Sequence, residues 1–561
     1  MAAAQGAADG AANLVQSVDW LAIAPPALTA AVALVVLIAD LFVPERRKPL
    51  LGVLSVAGLA AALLLLLPLR AGDRSTFCLT ADADVCSYTA DHFTLVIQLL
   101  VLGGALLTAL LSVTELAGGT SGRTGTSKTG GAGETGDLTG TSGHPDRKLP
   151  PGEFWFLLLS SASGAALLPA ARDLATLIVA LEVATLPAFA LVGLKRGDRL
   201  SSEAALKFFL SSVTATAVML LGVSFVYAAT GSLHLTEIAA GLDDVPGKLE
   251  TLASTGVALT LVGFAFKAAA APFHFWVPDT YVGAPLPVAA YLSVVSKAVG
   301  LSGLILVTVI AFPSHSDVWG PAVAVLAALT MTVGNVAALR QSATRAWSAV
   351  RLLAWSSVAQ AGYLLVPIAA AAYAGTDQIG STVAYALMYA VVNLGAFAVA
   401  ALVARTKPLN RLADYRGLAS ERPLTALAMG FFLLCLAGLP PGIVGLFAKV
   451  TVFSSAVDAG LGWLAVVMAV NVVVALFYYL QWTAILFLGP ERAAEDAPGE
   501  ARTVPEAPAP ALRPDGLPAG ALVAARAPAP LLAAIGLTAA AGVALSGAPQ
   551  LVLRFAAENL F

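Results

Sequence analysis

The stretch GFAFKAAAAPFHFW, residues 263–276, places Lys267, Pro272 and His274 inside an apolar run that begins near residue 252. A proline inside a helix removes one backbone donor and frees a carbonyl. In a bilayer such an interruption is tolerated only beside protein or a water-filled cavity. The stretch therefore predicts a broken membrane helix with a lysine next to the break.

The composition of the whole chain agrees with a membrane protein. Of 561 residues, 58% are hydrophobic and 12% are charged, with a mean hydropathy of +0.84; a soluble protein is nearer ~25% charged. The net charge of −3 offers no basic surface for nucleic acid. Five His and three Cys exclude a dense metal or Fe–S framework, and no phosphate-binding glycine motif follows a strand.

Apolar runs long enough to cross ~30 Å of hydrocarbon recur along the chain. The alternating strands of an outer-membrane barrel are absent from the pattern. We therefore predict an all-α polytopic membrane protein with about fourteen transmembrane helices. The predicted segments, numbered one to fourteen in chain order, are 19–43, 50–69, 93–116, 153–170, 174–194, 201–229, 252–276, 286–311, 320–338, 350–371, 380–403, 424–454, 463–488 and 529–547.

The basic residues predict the orientation. If the N-terminus is outside, twenty-two of the 31 Lys and Arg residues lie in cytoplasmic loops and five lie in outer loops. This asymmetry satisfies the positive-inside rule. It predicts a multi-pass membrane protein with both termini outside.

The regions between segments differ in composition. Cys78 and Cys86 share a predicted outer loop, where either a disulfide or two free thiols is compatible with the sequence. Residues 118–143 are mostly Gly, Thr and Ser, and 489–528 are rich in Pro and Ala, so both resemble flexible linkers. The predicted divisions are a three-helix segment at 1–116, a linker at 117–152, repeats at 153–311 and 312–488, a second linker at 489–528, and a C-terminal helix with its tail at 529–561.

Four basic residues belong to neither set of loops, and Glu182 lies midway along the fifth segment; the four are Lys207, Lys267, Lys297 and Lys449. Each costs at least ~2.5–3.5 kcal/mol at the bilayer centre. Snorkelling towards a helix end could explain Lys207, but the other three lysines lie ten or more residues from the nearer basic loop. The set therefore indicates a function in the membrane.

A second interrupted segment lies five segments after the first. It reads AGLPPGIVGLFAK, residues 437–449, and again has a lysine beside prolines. An offset of five helices reverses the orientation, so we predict two inverted five-helix repeats, with broken helices at segments seven and twelve. The alternative is two proline kinks without a role in transport.

These charges predict a proton relay. Burial favours the neutral form of a lysine and a nearby carboxylate favours the charged form, so a Glu182–Lys207 pair could release a proton when it separates. Lys267, His274, Lys297 and Lys449 would continue the line. Uncharged polar residues either connect these groups through water or only join helices; they are Asn335, Ser356, Ser357, Gln360, Tyr363, Tyr385, Tyr389 and Asn393.

Several long motifs resemble the antiporter-like subunits of respiratory complex I. They are the stretch from Phe266 through PFHFWVPDTYVGAP to Lys297, and RLLAWSSVAQAGY at 351–363. The stretch DYRGL at 414–418, followed by AGLPP and Lys449, is most similar to the N branch of that family. The resemblance covers roughly 150–490, and the high Ala content and preference for Arg over Lys fit an actinobacterial source.

The resemblance implies a proton-translocating subunit of NADH:quinone oxidoreductase, a translocase of class EC 7.1.1.-. It implies that Glu182 pairs with Lys207, and that Lys267, His274, Lys297 and Lys449 serve in proton transfer. It also implies that FMN, Fe–S clusters and quinone bind partner subunits and not this chain, with subunits K and M as neighbours. The alternatives are the D component of a multi-subunit sodium/proton antiporter, or a structural membrane subunit.

Overall fold

The computed structural model describes residues 18–79, 85–117, 149–489, 527–557 and 560. Both predicted linkers lie almost entirely outside these described residues. The longer helices are Trp20–Phe42, Pro49–Leu64, His92–Ala117, Pro151–Leu167, Leu174–Val192, Arg199–Thr230, Leu235–Asp243, Glu250–Lys267, Trp276–Gly283, Leu286–Ala311, Ser316–Leu339, Ser348–Ala374, Ile379–Ala404, Pro423–Ala437, Ile443–Asp458, Gly462–Phe487, Ala529–Gly547 and Gln550–Ala557.

Among the described residues, twelve helices are long and apolar enough to cross a membrane. They coincide with predicted segments one to six, eight to eleven, thirteen and fourteen, which confirms a helical polytopic membrane protein. The other two predicted segments are split. Segment seven consists of Glu250–Lys267 and Trp276–Gly283, and segment twelve of Pro423–Ala437 and Ile443–Asp458, so both predicted breaks are present.

Local capping explains where several helices begin and end. The Asp173 side chain accepts a hydrogen bond from the backbone N–H of Thr176 (2.7 Å) at the start of segment five, and Asp198 does the same for Leu200 at the start of segment six. Such side chains satisfy backbone donors that a helix leaves unpaired. Segment six ends at Gly231, whose φ of 75° lies in the left-handed region that glycine adopts without strain.

The prediction that the fold is entirely helical was wrong in one loop. Strands Arg74–Cys78 and Cys86–Ala90 pair antiparallel, and a disulfide joins Cys78 to Cys86. β-Branched and aromatic residues in both strands, with Tyr88 buried at 1% exposure, favour extended backbone here. The bond resolves the two alternatives for the cysteines in favour of a disulfide.

The helices form a central layer and an outer layer. In Ser348–Ala374, 94% of the most apolar stretch is buried, and in Leu286–Ala311 and 376–404 the share is 89%. In Trp20–Phe42 and Arg199–Thr230 it is 33%. Polar side chains on the central helices are therefore shielded by protein and not by lipid.

Candidate functional site

Lys267 is the last residue of helix Glu250–Lys267, directly before the break, and its side chain is buried. Its Nζ has no hydrogen-bond partner among the described residues. It lies 5.2 Å from the centre of the Phe208 ring and 6.0 Å from that of Phe189, an arrangement that attracts a cation to the ring faces. Within the break, the backbone N–H of Ala271 is hydrogen-bonded, because it donates to Thr330 Oγ1 (2.8 Å).

A narrow cavity connects Lys267 with the eighth segment. Its volume is about 10 Å³, about the space that one water molecule needs. Its polar lining includes Lys267, Ser161, Tyr291 and Ser296, and Ser296 immediately precedes Lys297. The Ser296 hydroxyl is buried without a hydrogen-bond partner in the described part of the chain, so it is available to a water in this cavity.

Lys297 continues the polar line. Its Nζ donates to Ser357 Oγ (2.6 Å), and that hydroxyl is hydrogen-bonded to the Tyr389 hydroxyl (2.8 Å). Tyr389 donates in turn to the Ser293 carbonyl (3.0 Å), and Asn393 Nδ2 donates to Ser293 Oγ (2.6 Å). Segments eight, ten and eleven therefore meet at the Lys297 ammonium group.

A second polar group lies further along segments ten, eleven and thirteen. Tyr385 donates to Gln360 Oε1 (2.5 Å), and Gln360 Nε2 donates to the Tyr479 hydroxyl (3.0 Å). Ser356, the neighbour of Ser357 in the chain, is hydrogen-bonded to Tyr479 (2.6 Å). Residues predicted as wetted connections or helix contacts thus form separate hydrogen-bonded groups, one around Ser357 and Tyr389 and another around Gln360 and Tyr479.

A further polar group lies around Asn335, whose Nδ2 is 3.4 Å from the Tyr363 hydroxyl. The same amide nitrogen donates to Asn471 Oδ1 (3.0 Å), and Tyr478 donates to Asn335 Oδ1 (3.0 Å). The Tyr363 and Tyr385 rings are 6.1 Å apart. Segments nine, ten and thirteen are joined by these bonds.

Lys449 lies at the far end of the line. It is buried in helix Ile443–Asp458, and its Nζ donates to the carbonyls of Leu436 and Ala437, each at 2.7 Å. Those carbonyls lack helical partners because the preceding helix ends at Ala437. The ammonium group also lies 5.7 Å from the centre of the Tyr363 ring, so it is close to the polar group around Asn335.

Glu182 lies half-buried on segment five and accepts a hydrogen bond from Thr216 Oγ1 (2.9 Å). It is the carboxylate in electrostatic range of the Lys267 ammonium group. Glu182 is therefore placed towards segment seven rather than towards the lysine of the neighbouring helix.

The predicted Glu182–Lys207 ion pair is absent, which is a correction to the sequence interpretation. Lys207 instead pairs with Glu203 and Asp279, each at 2.8 Å, and Arg351 lies 3.4 Å from the other oxygen of Asp279. The reason is helix offset. Thr216 meets Glu182, and Lys207 precedes Thr216 by nine residues, about 13 Å along a helix.

His274 lies in the break of segment seven, half-buried, with its ring centre 5.6 Å from that of Trp355. Its buried Nδ1 has no hydrogen-bond partner within the described ranges. It does not contact the Lys297 network, so its part in a relay stays a prediction.

Sequence reasoning missed several members of the site. Asp279 and Arg351 belong to the quoted motifs but were not assigned roles, although an acidic and a basic residue at neighbouring helix ends signal an ion pair. Asn471, Tyr478 and Tyr479 lie on segment thirteen, where a polar stripe on an apolar helix was the available signal. No cluster of His, Cys, Asp and Glu that could hold a metal ion occurs in the described residues.

The chain is similar to known proteins. Residues 171–475 match the family model described as NADH:quinone oxidoreductase/Mrp antiporter, transmembrane. A Streptomyces griseus protein named NADH-quinone oxidoreductase subunit N 2 is 73% identical over 98% of this chain and 96% of its own length. The chain belongs to the NADH-quinone oxidoreductase subunit N family. The Streptomyces relative agrees with the expected actinobacterial source.

Further relatives and solved structures match at lower identity. A Salinispora tropica protein named NADH-quinone oxidoreductase subunit N is 44% identical over 85% of the chain and 86% of its own length. A chain of Thermus thermophilus respiratory complex I is 29% identical, with a TM-score of 0.68 over 94% of this chain and 98% of its own. A chain of the Dietzia Mrp complex has a TM-score of 0.72 over 96% of this chain and 97% of its own, but at 22% identity this shows a shared fold alone.

Proposed function

We propose that this chain is the subunit N of a bacterial NADH:quinone oxidoreductase, and that it moves protons along the buried line from Glu182 to Lys449. One observation carries the proposal. Three buried lysines lie among polar side chains of segments seven to thirteen, and none of the three is salt-bridged to a carboxylate among the described residues. A purely structural lysine in a membrane would be held by such a pair.

The proton steps follow from the hydrogen bonds. A lysine can pass one Nζ proton to an adjacent oxygen and become neutral, and a hydroxyl can accept a proton on one side while it releases one on the other. Lys297, Ser357 and Tyr389 are already aligned for such an exchange. Between Lys267 and Lys297, one water beside Ser296 would complete the line.

Glu182 is proposed to set the charge of Lys267, and Lys207 to take part through Asp279. Separating a carboxylate from an ammonium group changes the proton affinity of both. Because Asp279 lies between Lys207 and Arg351, a movement of segment seven would change this ion pair and Lys267 together. His274, in the same break, is proposed as a neutral relay on that side.

The finer topology belongs to the same proposal. Fourteen crossings follow if the two split segments each cross the membrane, with both termini outside and with repeats at 153–311 and 312–488. Paired breaks five segments apart support inverted repeats. The lysine precedes the break at Lys267 and follows it at Lys449, so the two halves would have diverged at this point.

The partners are proposed from the family. As subunit N, the chain would lie beside subunits K and M in the lipid bilayer, in a translocase of class EC 7.1.1.-. FMN, Fe–S clusters and quinone would be held by other subunits. A role as the D component of a sodium/proton antiporter is less well supported, because the relative that covers 96% of its own length in the match is a subunit N.

Substitution of Lys267 and Glu182 tests the relay. We expect Lys267→Ala to abolish NADH-driven proton uptake in membrane vesicles while the complex still assembles, and Lys267→Arg to impair it because a guanidinium does not deprotonate at usable pH. Glu182→Gln should weaken uptake, and Glu182→Asp should retain part of it. Moving a proton against ~150–200 mV needs about 3.5–4.6 kcal/mol, so a partial loss of drive is measurable.

A matched control is Lys407→Ala, because Lys407 is an exposed residue outside the line. It should leave uptake unchanged per assembled complex. Full pumping by Lys267→Arg would contradict deprotonation at this position. Normal pumping by both Lys267→Ala and Glu182→Gln would remove the relay.

A further inference from the structure

A cavity of about 480 Å³ lies away from the lysine line. Its walls come from the end of segment two, the start of helix His92–Ala117 and the C-terminal helix Gln550–Ala557. This volume is within the range of small-molecule sites. None of its lining residues belongs to the proposed relay, so it needs a separate explanation.

The cavity is apolar at one end and charged at the other. Leu63, Leu67 and Leu99 line the apolar end, whereas Arg70 and Arg554 line the charged end. Leu63 precedes Arg70 by seven residues, about 10 Å along a helix. The groove therefore runs from the level of the loops into the apolar depth of the helices.

The charged end carries an excess of positive charge. Neither Arg70 nor Arg554 forms an ion pair with a carboxylate of the described residues, and Asp73 is the acidic residue among the lining groups. The Arg554 guanidinium lies 5.1 Å from the centre of the Phe555 ring. Both arginine side chains are exposed, so their donors are free to take up an anionic group.

We propose that this groove binds an anionic glycerophospholipid, with its phosphate between Arg70 and Arg554 and an acyl chain along Leu63, Leu67 and Leu99. Guanidinium groups match phosphate oxygens in a bidentate geometry, and the leucine wall beside the two arginines matches an acyl chain. A soluble anion would leave the leucine wall uncovered. A zwitterionic lipid would gain less from two arginines.

The lipid would connect distant parts of the chain. Arg554 and Phe555 lie on the C-terminal helix, and the Phe555 ring is 6.0 Å from that of His92 at the start of the third helix. Phe555 is also buried in the main hydrophobic core. A phosphate bound to both arginines would hold the C-terminal helix against segments two and three.

Photolabelling of the assembled complex tests this site. The purified complex is placed in nanodiscs that contain phosphatidylglycerol or phosphatidylcholine with the same photoreactive acyl chain, and labelled peptides are identified by mass spectrometry. We expect phosphatidylglycerol to label residues 63–70 and 92–99 preferentially. Arg70→Gln and Arg554→Gln should each lower its preference over phosphatidylcholine by roughly five-fold, the effect of about one basic residue at a membrane surface.

Three variants keep the result interpretable. Arg340→Gln, at an exposed arginine outside the groove, should change nothing, and Arg70→Lys should keep most of the preference. Leu67→Trp should fill the groove and lower labelling by both lipids, because Leu67 is a 58% exposed wall residue. A complex of normal size on gel filtration shows that each variant has folded.

Four outcomes would overturn the proposal. They are equal labelling by the two lipids, unchanged labelling in Arg70→Gln and Arg554→Gln, and loss of label to millimolar inorganic phosphate as readily as to excess phosphatidylglycerol. The fourth is a cross-link between groove residues and a neighbouring chain of the complex. That result would show that a protein segment, and not a lipid, fills the groove.

Discussion

At the scale of single residues, the three central lysines are held by three different kinds of group. Lys267 faces two aromatic rings and a narrow cavity, Lys297 donates to a serine hydroxyl, and Lys449 donates to two backbone carbonyls. None of these neighbours carries a full charge. We therefore expect a change of charge at one lysine to be transmitted through neutral hydrogen bonds and ring contacts.

Ser357 is the residue whose loss should interrupt this transmission. In Ser357→Ala, Lys297 loses its acceptor and Tyr389 loses its contact with that lysine. A hydrogen bond to a charged group is worth about 1.5–3 kcal/mol, so we expect proton transfer to fall on the order of ten-fold or more. The measurement is the initial rate of proton uptake per assembled complex in vesicles.

Ser302→Ala is the matched control, because Ser302 is also buried but donates to the Val299 carbonyl of its own helix. Its uptake should be close to that of the unmodified protein. If both serine variants pump at the same rate, Ser357 is a packing residue and the line does not pass through it.

The sequence predicts these residues unequally. The burial of Lys267, Lys297 and Lys449 follows from their distance to the basic loops, because a charge deep in an apolar run has to face protein. The partner of Lys207 does not follow, since it depends on the axial offset of two helices. Lys207 lies nine residues before the position that meets Glu182, and it therefore pairs with Asp279 and Glu203.

At the scale of elements, the two broken helices position the end lysines. In the second break, Gly438 has a φ of 82° and the chain turns so that Ile443–Asp458 packs against the helix before it. Gly445 then lies against the backbone of Cys435, where a side chain has no room. This close approach brings Lys449 to the carbonyls of Leu436 and Ala437.

Gly445→Ala should therefore separate the two halves of segment twelve. Overpacking of this kind costs about 1–3 kcal/mol, and the Lys449 contacts would lengthen as the helices move apart. We expect a lower thermal midpoint of the purified complex and reduced proton uptake, both measured on the same preparation.

Gly536→Ala is the control within a helix, because no atom lies near its added methyl group. Alanine is about 0.5–1 kcal/mol better than glycine inside a helix, so this variant should be as stable as the unmodified chain or slightly more so. Equal behaviour of the two alanine variants would show that the close approach at Gly445 is not needed.

The long helices and their breaks were predicted more reliably from the sequence than the short strands. Apolar runs and prolines identified the helices and both breaks. The strands at Arg74–Cys78 and Cys86–Ala90 were not foreseen, because a five-residue strand between two long apolar runs carries little signal of its own. Segment seven was predicted to end near residue 276, although its second helix, Trp276–Gly283, begins there.

At the scale of the whole molecule, polar groups occupy the central helices and large apolar side chains cover the outer ones. Leu206, Leu210 and Val213 on segment six are exposed, as expected of a surface in contact with lipid or a neighbouring subunit. The orientation of this layered body rests on the distribution of basic residues.

Cysteine labelling tests that orientation. In Gly125→Cys, a membrane-impermeant thiol reagent should label the chain only from the cytoplasm, and in Asp243→Cys only from outside. Position 125 lies outside the described residues, and Asp243 ends the helix Leu235–Asp243. Native thiols should contribute little, since Cys435 is buried and Cys78 is joined to Cys86. Labelling from the opposite side at either position would contradict fourteen crossings.

The two backbone acceptors of Lys449 have a consequence for mutational scanning. Its two acceptors belong to the main chain, so replacing the side chain of residue 436 or 437 leaves both oxygens in place. Because both side chains are buried in the core, a saturation scan would report these positions through their packing and not through the contact with Lys449. Sensitivity of that contact would appear at Gly438, Gly442 and Gly445, where the path of the backbone is decided. The acceptors of this ammonium group are determined by the path of the backbone, so a comparison of side chains alone does not reveal them.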